Sequence, residues 1–368
     1  MSFLNIIEEF ENFDFTGYFD KVSDLDILNS INRNKKDYTD LLNLLSPKAE
    51  KFLENMARGA NDITTRNFGK TILLYTPMYI SNICVNKCAY CTYNIENDIV
   101  RKKLTVEQID EEGKRINAEG FRNILVLTGE SEKHTNADYV VESVKILRKH
   151  FESITIEIYP MKEDDYKRVV ENGVDGLTVY QEVYDREVYK NVHLAGPKRN
   201  YNFRLDAPER GAKAGIRNLN IGALLGLNEF RREMFFTIMH GKYLLDKYPM
   251  VNLSFSFPRI RPHKGIFHLV DEVSDRNLVQ SILVARLFHH NAGINISTRE
   301  REGFRENLIP LGVTKMSAGV STDVGGHSLE EDKGEKQFEI CDDRSTNEIK
   351  EVLNNLGYQA IFKDWDSI

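Results

Sequence analysis

Three of the four cysteines in this 368-residue chain fall within eight positions, as Cys84-Val-Asn-Lys-Cys88-Ala-Tyr-Cys91. In a C-x3-C-x2-C spacing, three thiolates can ligate three irons of a cubane. The fourth iron then has no protein ligand and is open to a small molecule, which an all-cysteine electron-transfer cluster does not allow. A structural zinc site needs four ligands to close, and no fourth Cys or His stands nearby: His134 and Cys341 are far along the chain. A disulfide framework would instead spread cysteine pairs along a short secreted chain. The trio therefore points to an iron–sulfur cluster with one open iron, with structural zinc and plain electron transfer as the competing readings.

Such a loop needs a scaffold, and the sequence after residue 70 supplies a repeating one. Short apolar, β-branched runs cover 72–83, 123–129, 154–160, 176–183, 218–227, 251–258, 293–299 and 312–321. Segments of helical period alternate with them, a pattern that implies a parallel sheet of βα units. Thr105 and Gln108 form a capping box, Asn136 caps 137–149, and Asp206 caps a helix that Gly215 stops. Helices are also expected over 228–248 and 276–292, where His289 and His290 would be a partly exposed C-terminal pair favoured by the helix dipole. Eight repeats predict an α/β fold, a closed (β/α)8 TIM-type barrel. The alternative, an open doubly wound sheet, would want an early Gly-x-Gly-x-x-Gly turn that follows none of the first strands. Residues 1–70 read as a helical N-terminal extension, 71–330 as the barrel, and 331–368 as a C-terminal segment. That segment is expected to hold a polar linker, one helix at 346–356 capped near Ser345 or Thr346, and a terminal strand or hook.

Composition narrows the function classes. The 49 Lys+Arg against 56 Asp+Glu leave a net charge of −7, with no basic stripe for nucleic acid. Met1 to Asp14 is acidic and lacks the basic and apolar regions of a signal peptide. Nowhere do enough apolar residues run together to span a membrane. A cytoplasmic enzyme is expected.

The cysteine motif, with Tyr90 before its last cysteine and directly after the first strand, resembles that of the radical S-adenosylmethionine (SAM) superfamily. Thr128-Gly129-Glu130 is similar to that family's Gly-Gly-Glu segment, with Thr in place of the first Gly. Pro77–Asn82, Glu157-Ile-Tyr-Pro160, Tyr180-Gln-Glu182, Arg204-Leu-Asp206, Ile221–Gly226, Ser297-Thr-Arg299 and Lys363-Asp-Trp365 together look like the aromatic amino acid lyase branch. Within that branch they resemble the 2-iminoacetate synthases, over about residues 40 to 368. The resemblance implies a [4Fe-4S] cluster held by Cys84, Cys88 and Cys91, with SAM on the open iron. It also implies that the backbone of Gly129 and Glu130 receives the SAM amino group.

In a βα barrel, chemistry sits at the C-terminal ends of the strands, so polar residues there are the candidates. Glu157 and Tyr159 share one face of strand three by the period of two. A carboxylate inside a barrel is costly without hydrogen bonds, and by resemblance Glu157 takes the SAM ribose hydroxyls; a lysine partner is the plain alternative. Gln181 and Glu182 on strand four divide the same way. Gly222 and Gly226 let a flat ring approach, by resemblance the adenine, or else they relieve packing. Among Arg199, Arg204 and Arg210, Arg204 is the choice for the SAM carboxylate. Arg299 ends strand seven, where a guanidinium can grip a carboxylate by two parallel hydrogen bonds, and Ser317 on strand eight can add a donor. The resemblance assigns that pair to the carboxylate of an amino acid substrate; an ion pair of Arg299 with Glu300 or Glu302 is the alternative. Tyr79, at the rim of strand one, faces the substrate or packs as a core aromatic. Asp323 and His327 lie in a Gly-rich loop that can gate the mouth, and Cys341 reads as an ordinary small residue.

The resemblance implies hydrogen abstraction from bound L-tyrosine at its amino group. The Cα–Cβ bond then breaks to give 2-iminoacetate and p-cresol, for the thiazole of thiamine. It further implies an electron donor such as flavodoxin or ferredoxin, with a thiazole synthase as a candidate partner. A related tyrosine lyase that serves hydrogenase assembly carries a second cysteine cluster in a C-terminal extension. Here Cys341 is alone and three residues follow Trp365, so that activity is not expected. A tryptophan lyase shares the Arg and Ser anchors, and a non-catalytic iron–sulfur scaffold is the reading from another class.

Overall fold

The computed structural model describes residues 2–264, 267, 269–329 and 334–363. Among these, ten strands form one parallel sheet in which Thr71–Tyr75, next to one edge, and Pro77–Ser81, at the other edge, are consecutive pieces of a single segment. Thr71–Tyr75 pairs with Lys315–Ser317, Tyr75 lying opposite Ser317. Pro77–Ser81 pairs with Asn123–Thr128, Pro77 lying opposite Leu125. The interruption falls at Thr76, whose carbonyl accepts from Leu125 N–H, so the broken segment joins both ends of the sheet. Ser153–Glu157, Gly176–Glu182, Asn218–Ala223, Asn252–Ser256 and Gly293–Ile296 complete the circuit. Each of the eight apolar runs is thus one stave of a (β/α)8 barrel. The terminal strand is Gln359–Ile361, parallel to Thr71–Leu73 and outside the circuit.

Local chemistry sets the helix ends. Thr105 and Gln108 make the expected box before Val106–Ala118, Asn136 accepts from Tyr139 N–H, and Ser345 with Glu348 opens Thr346–Asn355. Asp206 departs from expectation. It sits at the junction of Tyr201–Leu205 and Ala207–Lys213, and its side chain caps neither. The helix Asp275–Phe288 stops one residue before His289. Its last turn is finished by Arg286, whose guanidinium donates to the carbonyls of His290 and Ala292 at 3.0 and 2.6 Å. His289 is therefore a buried core residue hydrogen-bonded to Ile238 O, and burial pulls its pKa down to about 4.

The first 68 residues carry five α-helices and one 3-10 helix, which pack on the barrel's outer helices. Phe3 stacks on His240 with ring centroids 4.2 Å apart. The buried amide of Gln280 donates to the carbonyls of Leu44 and Ser46. One apolar cluster runs from Phe3 to Leu353. The stretch 334–345 is not the free linker its polarity suggests. It forms no helix or strand, yet Asp342 is buried against Arg305, and Cys341 N–H donates to Thr298 O at 2.8 Å. This strap lies across the mouth of the barrel. Asp364 and Trp365 lie outside the described residues. Among those described, no helix is long and apolar enough to cross a membrane.

Candidate active site

The cysteine loop leaves the first stave at Ser81 and is almost devoid of regular structure, so other groups must hold its backbone. Buried Asn82 donates to Val100 O and accepts from Lys102 N–H. The Arg101 guanidinium reaches the carbonyls of Asn82, Tyr93, Asn94 and Asn97. Asn94 and Asn97 donate to the carbonyls of Cys88 and Cys91. Lys87–Cys88 also pairs with His193–Ala195 in a short antiparallel ribbon. All three thiols are free and line one chamber of about 690 Å³ at the C-terminal ends of the staves. Among the described residues no three His, Cys, Asp or Glu side chains converge on one ion; the thiols are set around the chamber instead.

Gly129 fits the loop against stave two. A Cβ there would stand 2.4 Å from Ile83 O, so only glycine permits this approach. Gly129 N–H donates to Ser81 O, and Glu130 O accepts from Val85 N–H. The Glu130 carboxylate is taken by the Asn86 amide. Tyr159 shares the chamber, its hydroxyl donating to Thr135 O. Deeper in, Glu182 accepts from Lys198 at 2.7 Å and Arg204 at 3.3 Å. Burial pushes the Glu182 pKa up, but the two cations bring it below the usual carboxylate value. Arg204 also donates to Tyr180 O at 2.7 Å. Burial lifts the Cys88 and Cys91 thiols to about 12 and about 11, against the pull of Lys198. Three thiols, a glycine cradle and a cation-lined floor suit a cubane that carries a bound sulfonium amino acid.

A second chamber, about 680 Å³, lies alongside and shares Tyr79, Leu127, Glu157 and Tyr180 with the first. Arg299 and Ser317 open into it, among Tyr75, Phe257 and Phe338. Arg299 makes no ion pair with any described residue. Its guanidinium lies 3.5 Å from the centroid of the Phe338 ring and donates to Arg259 O at 3.4 Å. Glu300, the expected alternative partner, is bound to Arg259 instead. Burial draws the Arg299 pKa down. Ser317 Oγ accepts from Thr298 N–H at 3.0 Å, which fixes the backbone one residue before Arg299. The Glu157 carboxylate has no hydrogen-bond partner among the described residues. Burial pushes its pKa up to about 7, partly offset by Arg299. Tyr79 hydroxyl donates to Gln337 at 2.8 Å.

Several expected residues line neither chamber, Gln181, Gly222 and Gly226 among them. Gln181 is turned away by the period of two, leaving both amide atoms buried without a partner, while Tyr180 and Glu182 face in. A register shift between Tyr180 and Glu182, with Glu182 at φ 71°, marks the place. Gly222 serves packing: a Cβ would stand 2.0 Å from Ser256 O. Arg210 is spent on the carbonyls of Met161 and Phe203, Arg199 is exposed, and His327 bonds Pro77 O. Cys341 accepts from Arg261. Sequence reading missed Lys198, Asn86, Arg101, Gln337 and Phe338. Asn86 lies inside the cysteine motif and Arg101 shortly after it, so both were within its reach; the others carry no local signal.

Residues 78–238 match the Radical SAM superfamily, and residues 256–359 match the Biotin and Thiamin Synthesis associated domain. The chain is 36% identical over 343 residues to 2-iminoacetate synthase of Escherichia coli (strain K12), covering 93% of this chain and 91% of that one. It is 34% identical, with the same coverage, to 2-iminoacetate synthase of Salmonella typhimurium. Among solved structures, the FeFe-hydrogenase maturase HydG from Carboxydothermus hydrogenoformans superposes with a TM-score of 0.91 at 30% identity, over 99% of this chain and 86% of that one. Methylornithine synthase (PylB), with a TM-score of 0.73 at 22% identity over 91% and 97%, shares the fold. With more than a third of positions identical along nine-tenths of both chains, this chain belongs to the 2-iminoacetate synthase family of radical SAM lyases, which use a [4Fe-4S] cluster and SAM.

Proposed function

We propose that the chain cleaves the Cα–Cβ bond of L-tyrosine to give 2-iminoacetate and p-cresol, for the thiazole of thiamine. The observation that carries this reading is Arg299. It is a half-buried guanidinium with no carboxylate partner among the described residues, set in an aromatic-lined chamber that shares a wall with the cysteine chamber. A cation drawn partly out of water is costly unless paired, so the geometry favours a ligand that brings its own carboxylate and an aromatic body.

When bound, the reduced cluster and SAM supply a 5′-deoxyadenosyl radical. Cys84, Cys88 and Cys91 hold the cluster, Gly129 and Glu130 receive the SAM amino group through their backbone, and Glu157 takes the ribose hydroxyls. Arg299, braced on Phe338, donates two parallel hydrogen bonds to the substrate carboxylate. Ser317 positions the segment behind it. Tyr75, Tyr79 and Tyr180 surround the ring, and the amino group is left facing the shared wall. Holding that group still beside the other chamber is worth more than chemical assistance here, since orientation alone can supply many kcal/mol of the barrier. Phe338 and Gln337 on the strap exclude water.

The test is an anaerobic assay of the reconstituted chain with SAM, dithionite and each aromatic amino acid in turn. Stoichiometric p-cresol and 5′-deoxyadenosine from tyrosine are expected. Product from tryptophan in place of tyrosine, or p-cresol without 2-iminoacetate, would overturn the proposal.

A further inference from the structure

The floor of the second chamber holds a polar group that none of the contacts assigned so far uses. The interior of a βα barrel is ordinarily filled by branched apolar side chains. Here the layer at and beneath the chamber contains Asn220, Ser256 and Asn295 instead. Asn295 stands on the inward face of the stave Gly293–Ile296 by the period of two, with buried Ile294 and Ile296 on the other face. Its amide oxygen is buried and has no hydrogen-bond partner among the described residues. Such an atom has lost its water without a replacement, which is costly unless a ligand supplies the missing donor.

The other polar groups of the chamber are already committed. Ser256, opposite Asn295 on the next stave, is held by Asn220, whose amide donates to Ser256 Oγ at 3.0 Å and to the Tyr180 hydroxyl at 3.5 Å. Tyr79 is bound to Gln337, Ser317 to Thr298 N–H, and Glu300 to Arg259. Of the charged and amide side chains that line the chamber, Glu157, Asn295 and Arg299 are left without a hydrogen-bonding side chain among the described residues. Glu157 lies on the wall shared with the cysteine chamber. Arg299 follows the end of the stave, and Asn295 precedes it by four residues within the same segment. Asn295 is therefore the deeper of the two, and it also lines a smaller cavity of about 350 Å³ below. Leu125, Leu127 and Phe257 give the chamber its apolar lining. A ring held among them, with its carboxylate on Arg299, brings its far end to the floor.

We infer that Asn295 reads the para-hydroxyl of the substrate, the phenol O–H donating to the amide oxygen, so that this residue separates a phenol from a plain phenyl ring. The inference rests on the proposed reading of Arg299 as the carboxylate anchor. A primary amide offers both an acceptor and two donors, and a phenol hydroxyl can meet either. A site that places a polar group for a hydroxyl rejects the analogue lacking it far more strongly than an apolar pocket rejects an added hydroxyl. The reason is that the buried group is then left unpaired.

The test uses the full chain with its oxidised cluster and SAM but no reductant, so that amino acids bind without turnover. Calorimetry compares tyrosine with phenylalanine on the wild type and on Asn295→Leu and Asn295→Asp. The wild type should prefer tyrosine by about a hundredfold or more. Leucine is close in size and apolar. Asn295→Leu should bind tyrosine more weakly and phenylalanine more tightly, bringing the two within about threefold of each other. Opposite signs for the two ligands are not produced by a general loosening of the barrel. Asn295→Asp keeps an acceptor and should keep the preference for tyrosine. Iron content and SAM affinity should stay at the wild-type value in both variants. A wild type without the preference, an Asn295→Leu variant that retains it, or one that weakens both amino acids equally would overturn the inference. Should the leucine variant not fold, Asn295→Asp decides alone, and equal affinity for the two amino acids would count against the inference. Tyrosine affinity that is untouched by Arg299→Lys would remove the anchor reading instead, and that failure shows with Asn295 unchanged.

Discussion

Glu157 offers a pH test whose size follows from its surroundings. Burial raises its pKa from an ordinary 4.5 to about 7, and no described side chain hydrogen-bonds it. In the ligand-free protein the folded state keeps this proton across the window from 4.5 to about 7, so Glu157 costs stability as pH rises through it. Ribose hydroxyls that donate to the carboxylate favour its ionised form, and SAM binding must then release the proton. Affinity is therefore full above pH 7 and is lost as pH falls below it. One pKa unit is a factor of ten, so the dissociation constant should be about tenfold higher at pH 6 than at pH 8. Glu157→Gln should abolish the dependence and weaken binding at pH 8 by roughly ten- to a hundredfold, the worth of a hydrogen bond to a charged group at about 1.5–3 kcal/mol. Equilibrium dialysis of SAM against the oxidised, cluster-loaded chain between pH 5.5 and 8.5 measures both. A wild-type profile that is flat, or a Gln variant with the same slope, would refute the assignment.

Other substitutions test the rest of the site. Cys88→Ala should lose the cluster, read as iron and sulfide falling from about four each per chain, and with it all 5′-deoxyadenosine formation. Arg299→Lys should keep the cluster and SAM cleavage but lose coupling, read as p-cresol per 5′-deoxyadenosine, because an ammonium cannot reproduce the planar two-bond grip. Ser317→Ala should be milder, about 1 kcal/mol from the hydrogen bond lost to Thr298 N–H. Gly129→Ala places a methyl 2.4 Å from Ile83 O. It should cost about 1–3 kcal/mol of stability, seen as a lower Tm together with weaker SAM binding.

The barrel was legible in the sequence because its signal is local: alternating apolar runs and helical periods repeat eight times, and each run became a stave. The cysteine trio stood out for the same reason, since its three thiols lie within one loop and line one chamber. What failed depends on contacts between distant segments. The break at Thr76 is set by Leu125 on another stave, and no residue at 76 announces it. Strict alternation leaves the inward residue of strand four open to a one-residue error, and a register shift beside Glu182 settled it against Gln181. The strap reads as a polar linker because its anchors, Asp342 to Arg305 and Phe338 to Arg299, join residues about 40 apart. Lys198 looks like any surface lysine until Glu182 is seen 2.7 Å away. Family resemblance supplied roles for several residues, but only the chambers show which of them share a wall.

That shared wall couples the two ligands. Arg299 is the largest influence offsetting the burial of Glu157. When a substrate carboxylate binds Arg299 it cancels that positive field, and the Glu157 pKa should rise further, which weakens SAM binding near neutral pH. A whole amino acid differs from a bare carboxylate, because it also carries an ammonium group. If the ammonium faces the shared wall, as the proposed reaction requires, it restores a positive charge beside Glu157 and cancels the penalty. Tyrosine and 3-(4-hydroxyphenyl)propionate, which lacks only the amino group, should therefore act differently on SAM. At pH 6.5 the propionate should raise the SAM dissociation constant and tyrosine should raise it less; at pH 8.5, with Glu157 ionised in either case, the two should converge. By linkage, SAM must alter the affinity for each compound by the same factor, so titrating in both directions checks the measurement internally. If tyrosine and the propionate shift the SAM constant equally at both pH values, the amino group does not face the wall, and the reacting hydrogen must be sought elsewhere on the substrate.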